Sequence, residues 1–313
     1  MSSRYAARGV VLCRQGRPCP TVFSDMKNYL LFVESYLHNL LFSPSIVDAR
    51  SGFDLTLTSH SSRVSRAFAA IESVCSGPVK PRRIILFLSD ADLSRPLPPP
   101  LVRLASRGLE ILRCEDVGPH TKLQPYLALH EYFTHPVVTI DDDVFYDGNL
   151  LLDLVSAWTA RPEIIHCSRA RKIVLRGSGF APYASWPLCD QSVPSYSNFV
   201  TGVGGVIYPP EFLSALKGAG DGYRHVCPMA DDIWINKQAL RAGFRVCQMK
   251  SAPAKLLDVP GARRTARFKT NVRHGENDVQ LRQAYTSREI GSITLSAAFD
   301  RSFGRETSTP QAC

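Results

Sequence analysis

Two hydrophobic periods alternate along the middle of the chain. FDLTLTS (53–59) has an apolar residue at every second position and predicts a strand. RRIILFLSD (82–90) is a continuous apolar run, the pattern of a strand buried on both faces. LEILRC (109–114), VVTI (137–140) and EIIHCS (163–168) predict three more strands. Between them the spacing turns helical. Val64, Phe68, Ala69, Ile71 and Val74 mark a helix over 62–75, and others are predicted over 101–108, 122–133 and 149–160. Gly108 stops the second of these, and PLPPP (96–100) is a rigid loop before it. Strand and helix in turn predict an α/β fold: a Rossmann-like, mostly parallel central sheet flanked by helices.

The ends differ from this middle. Residues 176–200 have no period and read as a long loop, which in a compact domain is often functional. GGVIYPPEFLSAL (204–216) predicts a strand and then a helix opened by Pro-Pro. MADDIWINKQALRAGFRVCQ (229–248) predicts a helix ending at Gly243, followed by a strand. A final helix is predicted over 277–286, and the sequence from 291 has no strong pattern. YLLFVESYLHNLLF (29–42) is the most apolar stretch, but Glu34 and His38 interrupt it and it is short for a membrane span. It reads as a helix covering the domain, with a place on a membrane surface as the sharper alternative. The expected organisation is an N-terminal extension with one helix (1–50), a main domain (51–290) and a C-terminal tail (291–313).

Composition narrows the function classes. A chain of 313 residues that is 44% hydrophobic can bury a core and is globular. The net charge of +9 would attract nucleic acid, an anionic membrane or a phosphorylated substrate. The basic residues are scattered except in ARRTARFKTNVRHG (262–275), which holds Arg263, Arg264, Arg267, Lys269 and Arg273. Nine cysteines, an odd number without a CxxC pair, suggest neither a zinc site nor a disulfide framework. They fit a reducing cytosol, where free Cys acts as a small hydrophobe. The first twenty residues lack a continuous apolar segment, so no secretory signal is expected.

The sharpest chemical signal is VVTIDDDVFYDG (137–148). Three carboxylates, Asp141, Asp142 and Asp143, end a buried strand, where like charges repel unless something positive sits nearby. Along an extended chain Asp141 and Asp143 would face one side and Asp142 the other. Such a pair suits Mg2+ or a similar hard cation, which takes one or two carboxylates and shares its other positions with water and phosphates. The bland alternative is a solvated acidic turn.

Weaker signals surround it. Thr58, Ser59 and Arg63 end the first strand and could hold phosphate, although helix capping explains the serines equally well. Lys122 follows a Gly-Pro loop at another strand end. Gly202, Gly204 and Gly205 suggest close approach of the backbone to a ligand, or else a strand bulge. Asp231 and Asp232 open a helix. One suffices for capping and the helix dipole, and the other is free to act as a general base. His274 lies near the end of the basic run, where a surface histidine is the plainer reading.

LTLTSHSSR, RRIILFLSD, VGPHTKL, TIDDDVFYDG, FVTGVGGVIYPP, PMADDIW and NDVQL, in that order, resemble a family of bacterial glycosyltransferases with the GT-A fold, family-2-like, over about 53–285. TGVGG, YPP and ADDIW together are more specific than a DxD-like segment alone. The resemblance implies a nucleotide-sugar donor, usually a UDP-sugar, and Mn2+ or Mg2+. It implies Asp143 as the metal-bridging carboxylate, with Asp141 on the ribose or the metal and Asp142 beside the donor. Thr58, Ser59 and Arg63 would line the nucleotide and Lys122 would contact the donor. Asp232, or else Asp231, would deprotonate the acceptor in an inverting reaction. His274 would supply a late metal- or diphosphate-binding group. The acceptor would be a saccharide or glycolipid hydroxyl, as in surface-glycan assembly, and the enzyme would be cytoplasmic, with peripheral contact at the inner membrane face as a further expectation. Nucleic acid is not an expected partner.

Two other classes stay open at this stage. A metal-dependent phosphohydrolase or nucleotidyltransferase also uses carboxylates at strand ends. A non-catalytic polyanion-binding protein would explain the charge but leaves the carboxylates without a role.

Overall fold

The computed structural model describes residues 20–261 and 275–306. The described residues open with helix α1 (Pro20–Leu41) and continue through β1 (Asp54–Thr58), α2 (Ala67–Val74), β2 (Arg83–Ser89), α3 (Asp90–Leu93), α4 (Pro99–Ser106) and β3 (Leu109–Cys114). Next come α5 (Gln124–Leu129), β4 (Val137–Thr139), β5 (Val144–Phe145), α6 (Leu150–Ala160) and β6 (Ile165–Cys167). Four short strands follow: β7 (Ala170–Lys172), β8 (Leu175–Arg176), β9 (Gly179–Phe180) and β10 (Asn198–Val200). The last elements are β11 (Val206–Tyr208), α7 (Pro210–Gly218), α8 (Tyr223–Val226), α9 (Asp231–Ala242), β12 (Val246–Gln248), β13 (Leu257–Asp258), α10 (Glu276–Ala284) and α11 (Ser287–Glu306).

Seven strands form the central sheet in the order β12-β6-β11-β4-β1-β2-β3. β1 runs parallel to β2 and β4, β2 to β3, and β6 to β12, while β11 is antiparallel to both its neighbours. The mostly parallel α/β sheet expected from the sequence is therefore present. Side-chain alternation along β2 shows why it is apolar throughout. Ile84, Leu86 and Leu88 join one core with Leu55, Leu57 and residues of α2, α4 and α6. Ile85 and Phe87 join the other with Val137, Tyr208 and residues of α7, α9 and α10.

The strand order fixes where a ligand can bind. From β1 the chain steps to β2 and β3 on one side, then returns to β4 on the other. The crevice outside the carboxyl ends of β1 and β4 is the topological switch point of the sheet. Ser59 follows β1, and Asp141 lies two residues beyond the end of β4.

Some elements differ from the sequence reading. The helix expected over 122–133 is a 3-10 turn at Gly118–Lys122 followed by the six-residue α5. Pro125 sits in the first turn of α5, where its missing N–H is tolerated, and the backbone turns extended at His130, so the helix covers only Gln124–Leu129. The helix expected over 62–75 is likewise split into a 3-10 turn at Ser61–Arg63 and α2. Beyond 291, where the sequence carries no pattern, α11 continues to Glu306. The irregular segment 176–200 contains most of the β8–β9 hairpin and the whole of β10. No helix among the described residues is long and apolar enough to cross a membrane. Cys75, Cys114, Cys167, Cys189, Cys227 and Cys247 are free thiols, and all but Cys114 are buried.

Candidate active site

The three aspartates leave β4 through a bend, and this changes which side each one faces. Asp142 is buried, accepts the Ser59 hydroxyl at 2.5 Å, and is paired through both carboxylate oxygens with the Arg63 guanidinium. Arg63 also reaches Asp143 Oδ2 at 3.1 Å. Asp141 turns instead to Lys122, whose Nζ donates to Asp141 Oδ1 at 2.8 Å. The division expected for an extended strand, Asp141 and Asp143 against Asp142, is not how the partners fall, because residues 142 and 143 sit in the bend. Two cations of the chain itself, Arg63 and Lys122, offset part of the repulsion among the three carboxylates.

Lys122 is the centre of the arrangement. It is buried, and its ammonium also lies 2.9 Å from Asp231 Oδ2, at the first turn of α9. The 3-10 turn after β3 thus joins the end of β4 to the N-terminus of α9. Burial alone would lower the Lys122 pKa, but Asp141, Asp231 and Asp232 together raise it well above the usual value. The ammonium is held charged.

Asp232 sits beside this pair and accepts the Gly202 amide on Oδ1 at 2.9 Å. Burial first, then Asp231, push its pKa up to about 8, against the opposing pull of Lys122 and the Gly202 N–H. Taken as a whole residue, Asp232 is half-buried. Asn236, one turn along α9, donates to the Asp232 carbonyl at 2.7 Å and to the Val200 carbonyl at 3.1 Å, tying α9 to β10. Gly202 has no room for a side chain: a Cβ there would lie 2.5 Å from Lys122 Nζ and 3.1 Å from Asp232 Oδ1. Where the sequence suggested close approach of the backbone to a ligand, Gly202 packs against the chain's own Lys122 and Asp232. A Cβ at Gly204 would likewise meet Ser168 Oγ at 2.4 Å.

Several residues here gave no signal in the sequence. Tyr146 locks the bend: its hydroxyl accepts the Asp141 amide at 2.8 Å and donates toward the carbonyl of Val203 at 3.1 Å or Asp141 at 3.2 Å. Asp258, at the end of β13, is brought to the bend by the antiparallel pairing of Asp258 with Val144, and the Val259 amide bonds the Asp143 carbonyl at 2.8 Å. Burial, together with repulsion from Asp141 and Asp258, raises the Asp143 pKa against the pull of Arg63. Half-buried Arg169 faces the same space. Burial and Arg171 lower its pKa, and Tyr183 and Asp232 oppose them. β13 was not visible as a strand, and a lone Arg in a strand-to-strand turn is ordinary.

The remaining candidates fall as follows. Thr58 spends its hydroxyl on the Phe87 carbonyl at 3.0 Å, bracing β1 against β2. Ser59 and Arg63 hold the bend through Asp142. Ser61 between them has φ 52°, the left-handed region that a serine seldom occupies, in the loop at the switch point. His274 and residues 262–274 of the basic run lie outside the described residues. A cavity of about 240 Å3 is lined by Tyr146, Gly204, Leu150, Ser168, Met249 and Lys255, and by none of the site's aspartates.

Among the described residues, no group of three or more His, Cys, Asp or Glu side chains is placed to hold a metal by itself. The donor chemistry fits a different kind of site. Asp141 and Asp143 offer hard oxygen ligands, and Asp142, Asp231, Asp232 and Asp258 crowd the same space, with Arg63 and Lys122 as the cations in direct contact. The excess negative charge suits a divalent ion shared between one or two carboxylates and the phosphates of a ligand.

No protein-family model matches the chain, and no curated protein matches it. Among solved structures it is similar to the mannosyltransferase PcManGT from Pyrobaculum calidifontis in complex with GDP-Man and Mn2+, at 14% identity and TM-score 0.48, over 89% of this chain and 79% of that one. It is also similar to GalNAc-T7 with UDP, GalNAc and Mn2+ (13% identity, TM-score 0.44, 63% of this chain and 42% of that one). A third is S. aureus TarS 1–349 (12% identity, TM-score 0.41, 63% and 58%). At these identities and TM-scores the likeness assigns neither activity nor ligand to this chain.

Proposed function

We propose that the chain is a metal-dependent glycosyltransferase of the GT-A type. It moves a sugar from a nucleotide-sugar, a UDP-sugar first among them, to a hydroxyl of a saccharide or glycolipid acceptor, with inversion. The observation that carries this reading is the convergence of Asp141, at the end of β4, and of Asp231 and Asp232, about ninety residues further on, around one buried lysine at the switch point of an α/β sheet. A carboxyl whose pKa is pushed to about 8 by burial and a neighbouring carboxylate, in a crevice, is a candidate general base.

Asp141 and Asp143 would hold Mn2+ or Mg2+, with His274 as a later ligand to the ion or the diphosphate. When bound, the ion supplies positive charge against the leaving nucleoside diphosphate. Lys122 stays protonated in its acidic surroundings and would add to that field. Ser59 and Arg63 fix Asp142, and so hold the bend in the position that a nucleotide at the β1 end would need. The Gly202 amide holds Oδ1 of Asp232, leaving Oδ2 to take the proton of the acceptor hydroxyl. The acceptor oxygen then forms its bond to the anomeric carbon as the sugar–phosphate bond breaks, its electrons leaving with the diphosphate. A cytoplasmic enzyme acting in surface-glycan assembly, with residues 51–290 as its catalytic unit, completes the proposal.

One observation favours a second reading. Arg63 and Lys122 already contact all three aspartates of the bend, so the chain's own cations could stabilise the leaving diphosphate without a metal. A panel of UDP-, GDP- and CMP-sugars with and without Mn2+ separates the two. The proposal expects turnover of at least one donor that EDTA abolishes. Turnover untouched by EDTA supports the second reading, and nucleotidyl or phosphate products without sugar transfer contradict both.

A further inference from the structure

Two arginines beside the candidate base, Arg169 and Arg171, have no carboxylate within ion-pair distance among the described residues. Arg169 precedes β7 and Arg171 lies in it, so the two share a face of the extended chain, while Ala170 between them joins the core. Both arginines are half-buried. Arg171 has neutral partners: its guanidinium donates to the Trp186 carbonyl and lies 5.2 Å over the Tyr183 ring. The Arg169 guanidinium has no hydrogen bond among the described residues. Its backbone is nevertheless fixed. The Arg169 carbonyl accepts the Thr201 amide at 3.3 Å and the Thr201 hydroxyl at 3.2 Å. A Cβ at Gly204 would lie 2.9 Å from Arg169 Cβ, so Arg169 is pressed against the same glycine turn that meets Lys122 and Asp232.

Arg63 and Lys122, by contrast, are matched. Arg63 has Asp142 and Asp143, and Lys122 has Asp141 and Asp231. For Arg169, burial and Arg171 disfavour the charge, and the carboxylate that supports it, Asp232, does so from beyond ion-pair distance. Residues 262–274, outside the described residues, contain no Asp or Glu to supply a partner. An arginine stays charged in a protein, so a half-buried one without a partner is open to an anion from outside. Its fork matches two oxygens of a carboxylate or a phosphate. We propose that Arg169, flanked by Arg171, binds an anionic group on the acceptor, so that the substrate offering its hydroxyl to Asp232 is a saccharide carrying a carboxylate or a phosphate. The placement favours the acceptor over the donor. The donor phosphates are assigned to the ion beside Asp141 and Asp143, whereas the carboxylate acting on Arg169 is Asp232. A neutral acceptor needs no cation there. An anionic one is repelled by Asp231 and Asp232 unless a cation offsets them. The inference deepens the transferase reading and rests on it.

Full-length wild type, Arg169→Gln and Arg169→Lys are given the donor that the nucleotide-sugar panel selects. Methyl glucuronide, methyl galacturonide and glucose 6-phosphate serve as anionic acceptors, with methyl glucoside and methyl galactoside as neutral counterparts. In wild type, kcat/KM for an anionic acceptor should exceed that of its counterpart by about tenfold or more, the value of a charged hydrogen-bonded pair. Which acceptor leads separates carboxylate from phosphate. Arg169→Gln should erase the preference through the acceptor KM, and Arg169→Lys should keep part of it. Melting temperatures close to wild type are expected and check that the variants fold. The inference is overturned if wild type takes neutral acceptors as readily as anionic ones, or if folded Arg169→Gln keeps the preference. It is also overturned if Arg169→Gln raises the donor KM instead, which would put Arg169 on the donor phosphates. Should no donor turn over, the transferase reading fails by itself, and saturation-transfer NMR of the same saccharides decides the anion site. An anionic saccharide bound by wild type and not by Arg169→Gln upholds the site, and equal binding or none overturns it.

Discussion

Lys122 spans the crevice to meet Asp231 at 2.9 Å, a buried ammonium on a carboxylate at the first turn of α9. The same ammonium holds Asp141, so removing it leaves two carboxylates facing each other. Lys122→Met is expected to cost roughly 3–5 kcal/mol of stability, the usual cost of breaking a buried pair. It should also lower turnover by about 100-fold. Adding Asp231→Asn should recover stability, read as the denaturation midpoint, without recovering turnover. Recovery of both would make Lys122 purely structural.

Asp232→Asn keeps the hydrogen bond from Gly202 but removes the base. Turnover should fall about 10²–10⁴-fold while donor affinity stays within a few-fold. Nearly full activity in this variant would assign the base elsewhere.

The pH profile tests the same residue independently. Asp232 acts when ionised, and its pKa in the free protein is pushed up to about 8. The sign follows: kcat/KM should fall about tenfold for each pH unit below 8 and level off above it. A profile flat from pH 6 to 9 would mean that the group titrating near 8 plays no part.

Gly202→Ala places a methyl group against Lys122 Nζ and Asp232 Oδ1. Lys122 can yield only by loosening one of its two ion pairs. Activity is expected to drop at least tenfold, with the far-ultraviolet dichroism unchanged. Wild-type activity would show that the crowding at this turn has no catalytic weight.

Glu72 tests how α1 is held. It is buried on α2 and takes Arg107, His38 and Asn39 together. Glu72→Ala leaves Arg107 without its charge partner and should cost about 3–5 kcal/mol, seen in denaturant unfolding. A loss below 1 kcal/mol would mean that this polar network does not anchor the helix.

The sheet was legible because its strands are apolar on both faces or alternate cleanly. The runs at 82–90 and 109–114 became β2 and β3 almost residue for residue. Gly243, at φ 78°, ended α9 where a glycine cap was expected. Helix ends were harder to read: the helix expected over 122–133 is only the six-residue α5, which the chain leaves at His130 without a glycine or proline to mark the stop. In the site, residue types at strand and helix ends were visible, but their pairings were not. That Lys122 would bridge Asp141 and Asp231 depends on three elements meeting in space. That Asp258 would crowd Asp143 depends on β13, two residues long and without a hydrophobic period. The role of Asn39 on α1 was hidden for a related reason: Glu72, Pro100 and Arg103 meet it only in the tertiary structure.

The central claim is that a divalent ion and a nucleotide's phosphates share the space beside Asp143. Calorimetric titration of UDP and GDP into wild type and Asp143→Asn, each with and without Mn2+, tests it most directly. Mn2+ should tighten binding of one nucleotide at least tenfold in wild type and have no effect in Asp143→Asn, with melting temperatures alike. Equal affinity with and without the ion, or a variant that responds to it as wild type does, would contradict the claim.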